Sequence, residues 1–255
     1  MRLKLVFSLL IATSSLVNAQ QHKVYNGEYN KLLSSSYMGI SDSQATYSYY
    51  ENQDFERIYD GDFTCTFRVP VYIGEYVKGG SIKGQFKNGD YDGYWKLIYP
   101  FRFDSKSYLA VMDVTFSNGL INGPLKVVVT DASKNKVCET TIEFVNGQRS
   151  GNFNYYSKLN PNYIREAKGQ YKNDNRDGRW TYVYEGNRGI LDYEDGVLKD
   201  NFVILESTGT KTDGVDLTYG SFYYGDFSFS DIIHVLGKVN NNYDSKSWNF
   251  FGDEY

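Results

Sequence analysis

The stretch Gly84-Gln85-Phe86-Lys87-Asn88-Gly89-Asp90-Tyr91-Asp92-Gly93-Tyr94-Trp95 decides the fold, because it returns almost letter for letter as Gly169-Gln170-Tyr171-Lys172-Asn173-Asp174-Asn175-Arg176-Asp177-Gly178-Arg179-Trp180. A fainter copy begins at Gly237-Lys238-Val239-Asn240 and ends at Trp248. The Gly-to-Trp spacing is 11 residues in all three, so each of the 3 tryptophans closes a copy. Self-similarity at a period of tens of residues marks a stacked array, in which each unit buries its apolar face only against its neighbours.

Pairing the residues around a turn of Gly89 to Asp92 sets Lys87 opposite Tyr94, Phe86 opposite Trp95, Gly84 opposite Leu97 and Ile82 opposite Tyr99. Side chains alternate along a strand, so Ile82, Gly84, Phe86, Trp95, Leu97 and Tyr99 share one face of an antiparallel hairpin. Lys83, Gln85, Lys87, Tyr94 and Lys96 take the other. The second copy sorts alike, with Ala167, Gly169, Tyr171, Trp180, Tyr182 and Tyr184 inward. Asn-Gly supplies the positive φ of a tight hairpin, and the glycine beside the aromatic leaves room for a ring over the backbone.

The same template, an apolar residue followed by Asn/Asp-Gly and by a second apolar residue, finds weaker copies. Phe116 with Asn118-Gly119 and Leu125 fits, as does Phe144 with Asn146-Gly147 and Phe153; Gly123 and Gly151 stand where Gly93 and Gly178 stand. Ile58 with Asp60-Gly61 and Phe67, and Tyr193 with Asp195-Gly196 and Phe202, fit without the second glycine. Seven hairpins result, with an eighth around Tyr219-Gly220 and Phe227.

The pattern Gly-x-aromatic-x-Asn-Gly-x-x-x-Gly-x-Trp resembles MORN repeats, above all the bacterial MORN-variant kind strung together in exported proteins of Bacteroidetes-like bacteria. The resemblance runs from Ile58 to Phe251. It implies successive β-hairpins forming one elongated, twisted, open antiparallel sheet, and a function in scaffolding or binding. Repeat spacings of about 27 to 30 residues exceed the compact family repeat, which implies longer strands or far-side loops.

The chain opens with a basic Met1-Arg2-Leu3-Lys4, an apolar run Leu5 to Ile11 and a small-residue site Val17-Asn18-Ala19, so residues 1–19 read as a signal peptide and the mature chain starts at Gln20. No later run reaches the 18 or so apolar residues of a membrane span. No cysteine follows the cleavage site, which argues against a lipoprotein, and the expected location is secreted or periplasmic. Without Arg2 and Lys4 the chain carries 25 bases against 31 acids, which disfavours nucleic acid and anionic membrane as partners.

Composition agrees with an all-β chain: 25 Tyr, 16 Phe and 24 Gly against 4 Pro describe aromatic strands punctuated by glycine turns. Residues 20–55, with Asn26-Gly27 as their one turn signal, read as an N-terminal cap containing an irregular hairpin, and residues 56–255 as the array.

Residues able to carry chemistry each have a plainer reading. Cys65 and Cys138 fall on the inward face, five strands apart in an unbroken meander. That is roughly 24 Å, against the 7 Å or so a disulfide tolerates, so both read as small buried hydrophobes. His22 and His234 have no nucleophile or ligand motif beside them, and no metal site or cofactor is expected. Asn173 to Gly178 has the spacing of an EF-hand start, but the bidentate Glu position is Tyr184, and the stretch reads as a turn. Most acids, such as Asp90, Asp92, Asp177 and Asp195, belong to turns.

No Gly-x-Ser-x-Gly, phosphate loop or dinucleotide fingerprint occurs, so a non-enzymatic protein is expected. The residues Gly84, Phe86, Gly93, Trp95, Phe116, Phe144, Phe153, Gly169, Tyr171, Gly178, Trp180, Gly237 and Trp248 form the repeat core. Outward Tyr94, Tyr156 and Tyr223 are the candidate ligand contacts. Two functions follow: a scaffold binding a protein partner at the cell envelope, or a glycan-binding module using outward aromatics, with an enzyme of unknown type as the residual reading.

Overall fold

The computed structural model describes residues 21–29, 41–72, 75–103, 105–159, 165–184, 187–199, 202–204 and 211–213. These form strands β1 (Lys23–Glu28), β2 (Ser41–Glu51), β3 (Arg57–Tyr72), β4 (Glu75–Lys87), β5 (Asp90–Phe103), β6 (Lys106–Ser117), β7 (Leu120–Ile121) and β8 (Gly123–Asp131). The path continues through β9 (Lys136–Val145), β10 (Gln148–Ser157), β11 (Arg165–Lys172), β12 (Asn175–Tyr184), β13 (Asn187–Glu194) and β14 (Val197–Leu198). Together they make one 14-stranded antiparallel meander, with β7 the first segment of a strand that β8 completes. The outermost strands β1 and β14 do not pair with each other, so the sheet is open and not closed into a barrel. A separate pair, β15 (Phe202–Ile204) and β16 (Lys211–Asp213), follows. Residues 20–55 contribute β1 and β2 to the same sheet.

The hairpins close more tightly than the pairing derived from the sequence. Lys87 pairs with Asp90 and Phe86 with Tyr91, leaving only Asn88-Gly89 in the turn. Asn88 and Gly89 take φ 51° and 90°, two consecutive positive values as in a type I′ turn. Beyond the turn the register jumps by two residues, so that Lys83 pairs with Lys96 and Ile82 with Leu97. Tyr94 and Trp95 therefore belong to a bulge opposite Gly84, instead of facing Lys87 and Phe86. Both departures from the expected register are even numbers of residues, so no side chain changes face. That is why Ile82, Phe86, Trp95, Leu97 and Tyr99 are all buried as expected, joined by Tyr91.

The jump is a repeated device. Asn118-Gly119, Asn146-Gly147, Asn173-Asp174 and Asp195-Gly196 are two-residue turns with both φ values positive. Bulge glycines Gly93, Gly123, Gly151 and Gly178 also have positive φ. One expected unit is corrected: Asp60-Gly61 closes no hairpin. The turn between β2 and β3 is the loop 52–56, whose backbone is gathered by Asn52 Oδ1, which accepts from the N–H groups of Asp54 and Glu56 at 2.9 Å. Gly61, at φ 106°, is instead a bulge glycine inside β3, where the register again shifts by two.

Neighbouring hairpins lock together through these glycines. Gly61 pairs with Phe86, Gly93 with Phe116, Gly123 with Phe144, Gly151 with Tyr171 and Gly178 with Tyr193, each bulge opposite the aromatic of the next unit. The second turn residue then donates its N–H to the carbonyl two residues before that bulge. Gly89 donates to Tyr59, Gly119 to Tyr91, Gly147 to Ile121, Asp174 to Arg149 and Gly196 to Arg176, at 2.7 to 2.9 Å.

The core is a belt across the strands. Tyr47 pairs with Phe63, Phe63 with Gly84, Trp95 with Val114, Leu125 with Ile142, Ile142 with Phe153, Phe153 with Gly169 and Trp180 with Leu191. At two places the strand between two aromatic side chains contributes glycine, and the rings meet above it: Phe63 and Trp95 at 5.9 Å over Gly84, Phe153 and Trp180 at 5.3 Å over Gly169. Each indole N–H also finds a carbonyl at 3.1 Å, Gln85 for Trp95 and Gln170 for Trp180. Among the described residues no helix covers the belt, and its burial follows from this close cross-strand packing of large rings over small residues.

Candidate functional site

The face opposite the belt is polar and cross-linked by ion pairs, some of them between directly paired residues. Lys96 and Asp113 lie 3.6 Å apart, and Arg179 reaches Asp192 through Nε and Nη2 at 3.1 and 3.3 Å. Glu139 accepts from Lys126 at 2.8 Å and from Lys136. Those two ammonium groups hold its carboxyl below the ordinary value.

Tyr94 lies on this face, 54 % exposed, and its hydroxyl donates to Asp113. That bond to the carboxylate is the main reason its phenol is pushed up to about 12. Tyr156 is also outward, but on β10 between Glu139 and Glu166. Four strand steps separate β5 from β10, about 19 Å at the usual spacing, so the two tyrosines form no common row. Tyr223, His234, Gly237 and Trp248 lie outside the described residues. His22 meets Asp60 at 2.5 Å, and Asp60 also accepts from the Asn88 N–H at 2.9 Å. Cys65 and Cys138 are buried and unbridged, on β3 and β9. Among the described residues no group of three or more His, Cys, Asp or Glu is placed to hold a metal, and no helix is long and apolar enough to cross a membrane.

The five two-residue turns and the loop 52–56 lie at one end of the sheet, and this end carries features that single-unit reading missed. The slot two residues before each bulge glycine holds Tyr59, Tyr91, Ile121, Arg149 and Arg176. The two arginines occupy inward positions and lie over rings, Arg149 over Tyr171 at 4.4 Å and Arg176 over Trp180 at 5.1 Å. Arg57 does the same, over Tyr49 at 4.9 Å with a hydrogen bond to the Tyr47 hydroxyl. Aligning the copies on their second glycine would have revealed the slot.

A second row runs three residues before each bulge glycine, along the outer margin of the turns. Ile58 leans over Gly89, Asp90 over Gly119, Leu120 over Gly147 and Asn175 over Gly196, with nearest atoms 3.0 to 3.5 Å from where a β-carbon on the glycine would stand. Leu120 and its neighbour Val145 are about half exposed, while Val197 and Phe55 at the same end are 70 % and 84 % exposed. The turn residue beneath this row is glycine in four hairpins and Asp174 in the fifth, and the row itself varies in chemistry.

Compared with known proteins, the chain matches no family model, and no curated protein matches it.

Proposed function

We propose that this protein is an exported, non-enzymatic scaffold of MORN-like hairpins that holds a protein partner at the cell envelope. The observation that supports this reading is the separation of duties within each hairpin. Turn, bulge glycine and belt residue recur from unit to unit, whereas the exposed positions between them differ, which is how a stacked array offers an extended surface. Export rests on residues 1–19 and is checked by N-terminal sequencing, which should begin at Gln20. The scaffold reading is tested by affinity capture from envelope extract with the purified mature chain, run beside a polysaccharide-binding screen. One protein retained in stoichiometric amount is the expected result, and retention of polysaccharide alone would replace the reading with glycan binding.

One contact favours that second reading. Tyr94 combines an exposed ring with the Asp113 carboxylate and the Lys96 ammonium beside it, a grouping suited to a sugar ring stacked on the phenol.

A further inference from the structure

We propose that the Asn-Gly turns at Asn88, Asn118 and Asn146 are latent deamidation sites, each held unreactive by the hydrogen bond that joins its hairpin to the strand before it, so that deamidation there records the separation of neighbouring hairpins. The proposal does not depend on what the array binds. In deamidation the main-chain nitrogen of the residue after asparagine gives up its proton to solvent base and attacks Cγ of the asparagine side chain. The N–Cγ bond forms, the bond from Cγ to the side-chain nitrogen breaks, and that nitrogen leaves as ammonia with a proton from water. The product is a succinimide whose ring nitrogen carries no hydrogen. Water then opens the ring at either carbonyl to give aspartate or isoaspartate, with no oxidation or reduction in either step. Glycine in the second position favours the attack because it has no side chain to obstruct it.

In this sheet the hydrogen that the reaction must remove is already engaged. Gly89 donates it to the Tyr59 carbonyl at 2.7 Å, Gly119 to Tyr91 at 2.9 Å and Gly147 to Ile121 at 2.8 Å. The three asparagines are exposed, so water reaches the side-chain amide and it is the glycine nitrogen that is withheld. Each acceptor belongs to the unit before the turn, so the nitrogen is released only by an opening that parts one hairpin from its neighbour, as in amide exchange. Succinimide and inter-hairpin bond exclude each other, because ring closure consumes the donor. Isoaspartate then adds a methylene to the main chain of a two-residue turn in which both residues hold positive φ, 51° and 90° at Asn88 and Gly89, and the altered turn no longer fits the register. A hairpin that stays docked keeps its asparagine, and one that has parted is marked.

The test incubates the full chain in mildly alkaline buffer, folded and, in parallel, unfolded in urea, and follows aspartate and isoaspartate at each site by peptide mass spectrometry. Conversion at Asn88, Asn118 and Asn146 should be at least about tenfold slower in the folded chain, and the three folded rates should rank as the amide exchange rates of Gly89, Gly119 and Gly147. Phe144→Leu shrinks a buried ring two residues before Asn146. It should raise the folded rate at Asn146 about fivefold and leave Asn88, four strands away, unchanged. Equal rates in folded and unfolded chain would show that the bond withholds nothing and overturn the proposal. So would folded rates that do not follow the glycine exchange rates, a rate at Asn146 indifferent to Phe144→Leu, or an equal rise at Asn88 and Asn146, which would make global unfolding the releasing step. The comparison of folded and unfolded chain needs no substitution, so it decides even if Phe144→Leu fails to fold.

Discussion

A methyl group on Gly84 would come within 2.0 Å of the Trp95 indole, because that ring lies flat over the glycine to meet Phe63 from the far side. Gly169 stands in the same relation to Trp180, at 2.2 Å. Gly84→Ala should therefore destabilise by about 2 to 3 kcal/mol through overpacking, although alanine is ordinarily the better residue. Trp95→Leu should make the same substitution nearly free, and a double-mutant cycle by urea unfolding would measure the coupling. Additive effects would show that the ring does not rest on Gly84.

The inter-hairpin hydrogen bonds predict an unusual exchange pattern. The amide of a hairpin's second turn residue ordinarily faces water. Here those of Gly89, Gly119, Gly147, Asp174 and Gly196 donate to the preceding hairpin. Hydrogen exchange followed by NMR should find these five amides protected to nearly the level of the strands, while Asn88→Ala, which forces alanine to φ 51°, should cost about 1 kcal/mol and expose Gly89. Rapid exchange at Gly89, Gly119 and Gly147 in the unmodified protein would remove the ladder from the account.

Alternation made the faces legible in the sequence, and the same property hid the register. Pairing Phe86 with Trp95 and pairing it with Tyr91 differ by an even step, so both bury the same aromatic set and the apolar pattern cannot separate them. What separates them is backbone geometry: an Asn-Gly turn followed four residues later by Gly93 encodes a two-residue turn plus a bulge. Asp60-Gly61 looked like a turn for a related reason, since a positive-φ glycine serves both uses, and only the strand following it distinguishes them. Arg149 and Arg176 drew no reading from the sequence because their inward role depends on rings supplied by another strand, Tyr171 on β11 and Tyr193 on β13.

Cys65 and Cys138 should remain thiols after export. Both are buried and unbridged, and burial pushes the Cys65 thiol up to about 12, which leaves little thiolate to react. A thiol reagent should label neither in the native protein and both in denaturant without reductant. A mass consistent with a bridge would mean that β3 and β9 come together.

Acid should weaken the sheet through particular carboxylates. Glu139 is held low by Lys126 and Lys136. At Asp60 partial burial pushes the carboxyl up, but the Asn88 N–H and His22 outweigh it and the net shift is downward. A carboxyl with a depressed folded value stabilises fully above its unfolded value, about 4, and that stability is lost as pH falls through the folded value. Glu139→Gln should accordingly lower the urea midpoint near pH 7, and the difference should shrink as pH falls below the ordinary carboxyl range. A deficit that persists unchanged at low pH would show that the ion pairs are not its cause.

The belt predicts how damage spreads. Trp180 is buried, stacked on Phe153 at 5.3 Å, edge-on to Tyr171 at 5.0 Å and paired with Leu191, so Trp180→Ala should cost about 3 to 5 kcal/mol through lost burial and the cavity left behind. Tyr94→Ala, on the exposed face, should cost under about 1 kcal/mol. Every contact named for Trp180 belongs to its own hairpin or to the strand on either side, so the loss should first loosen β10 to β13 and leave β3 and β4 protected. Hydrogen exchange on Trp180→Ala separates the two possibilities. Graded loss centred on β12 is the expected result of nearest-neighbour coupling; equal loss at Phe63 and at Tyr171 would mean that the sheet unfolds as one cooperative body and that its hairpins are not independent units.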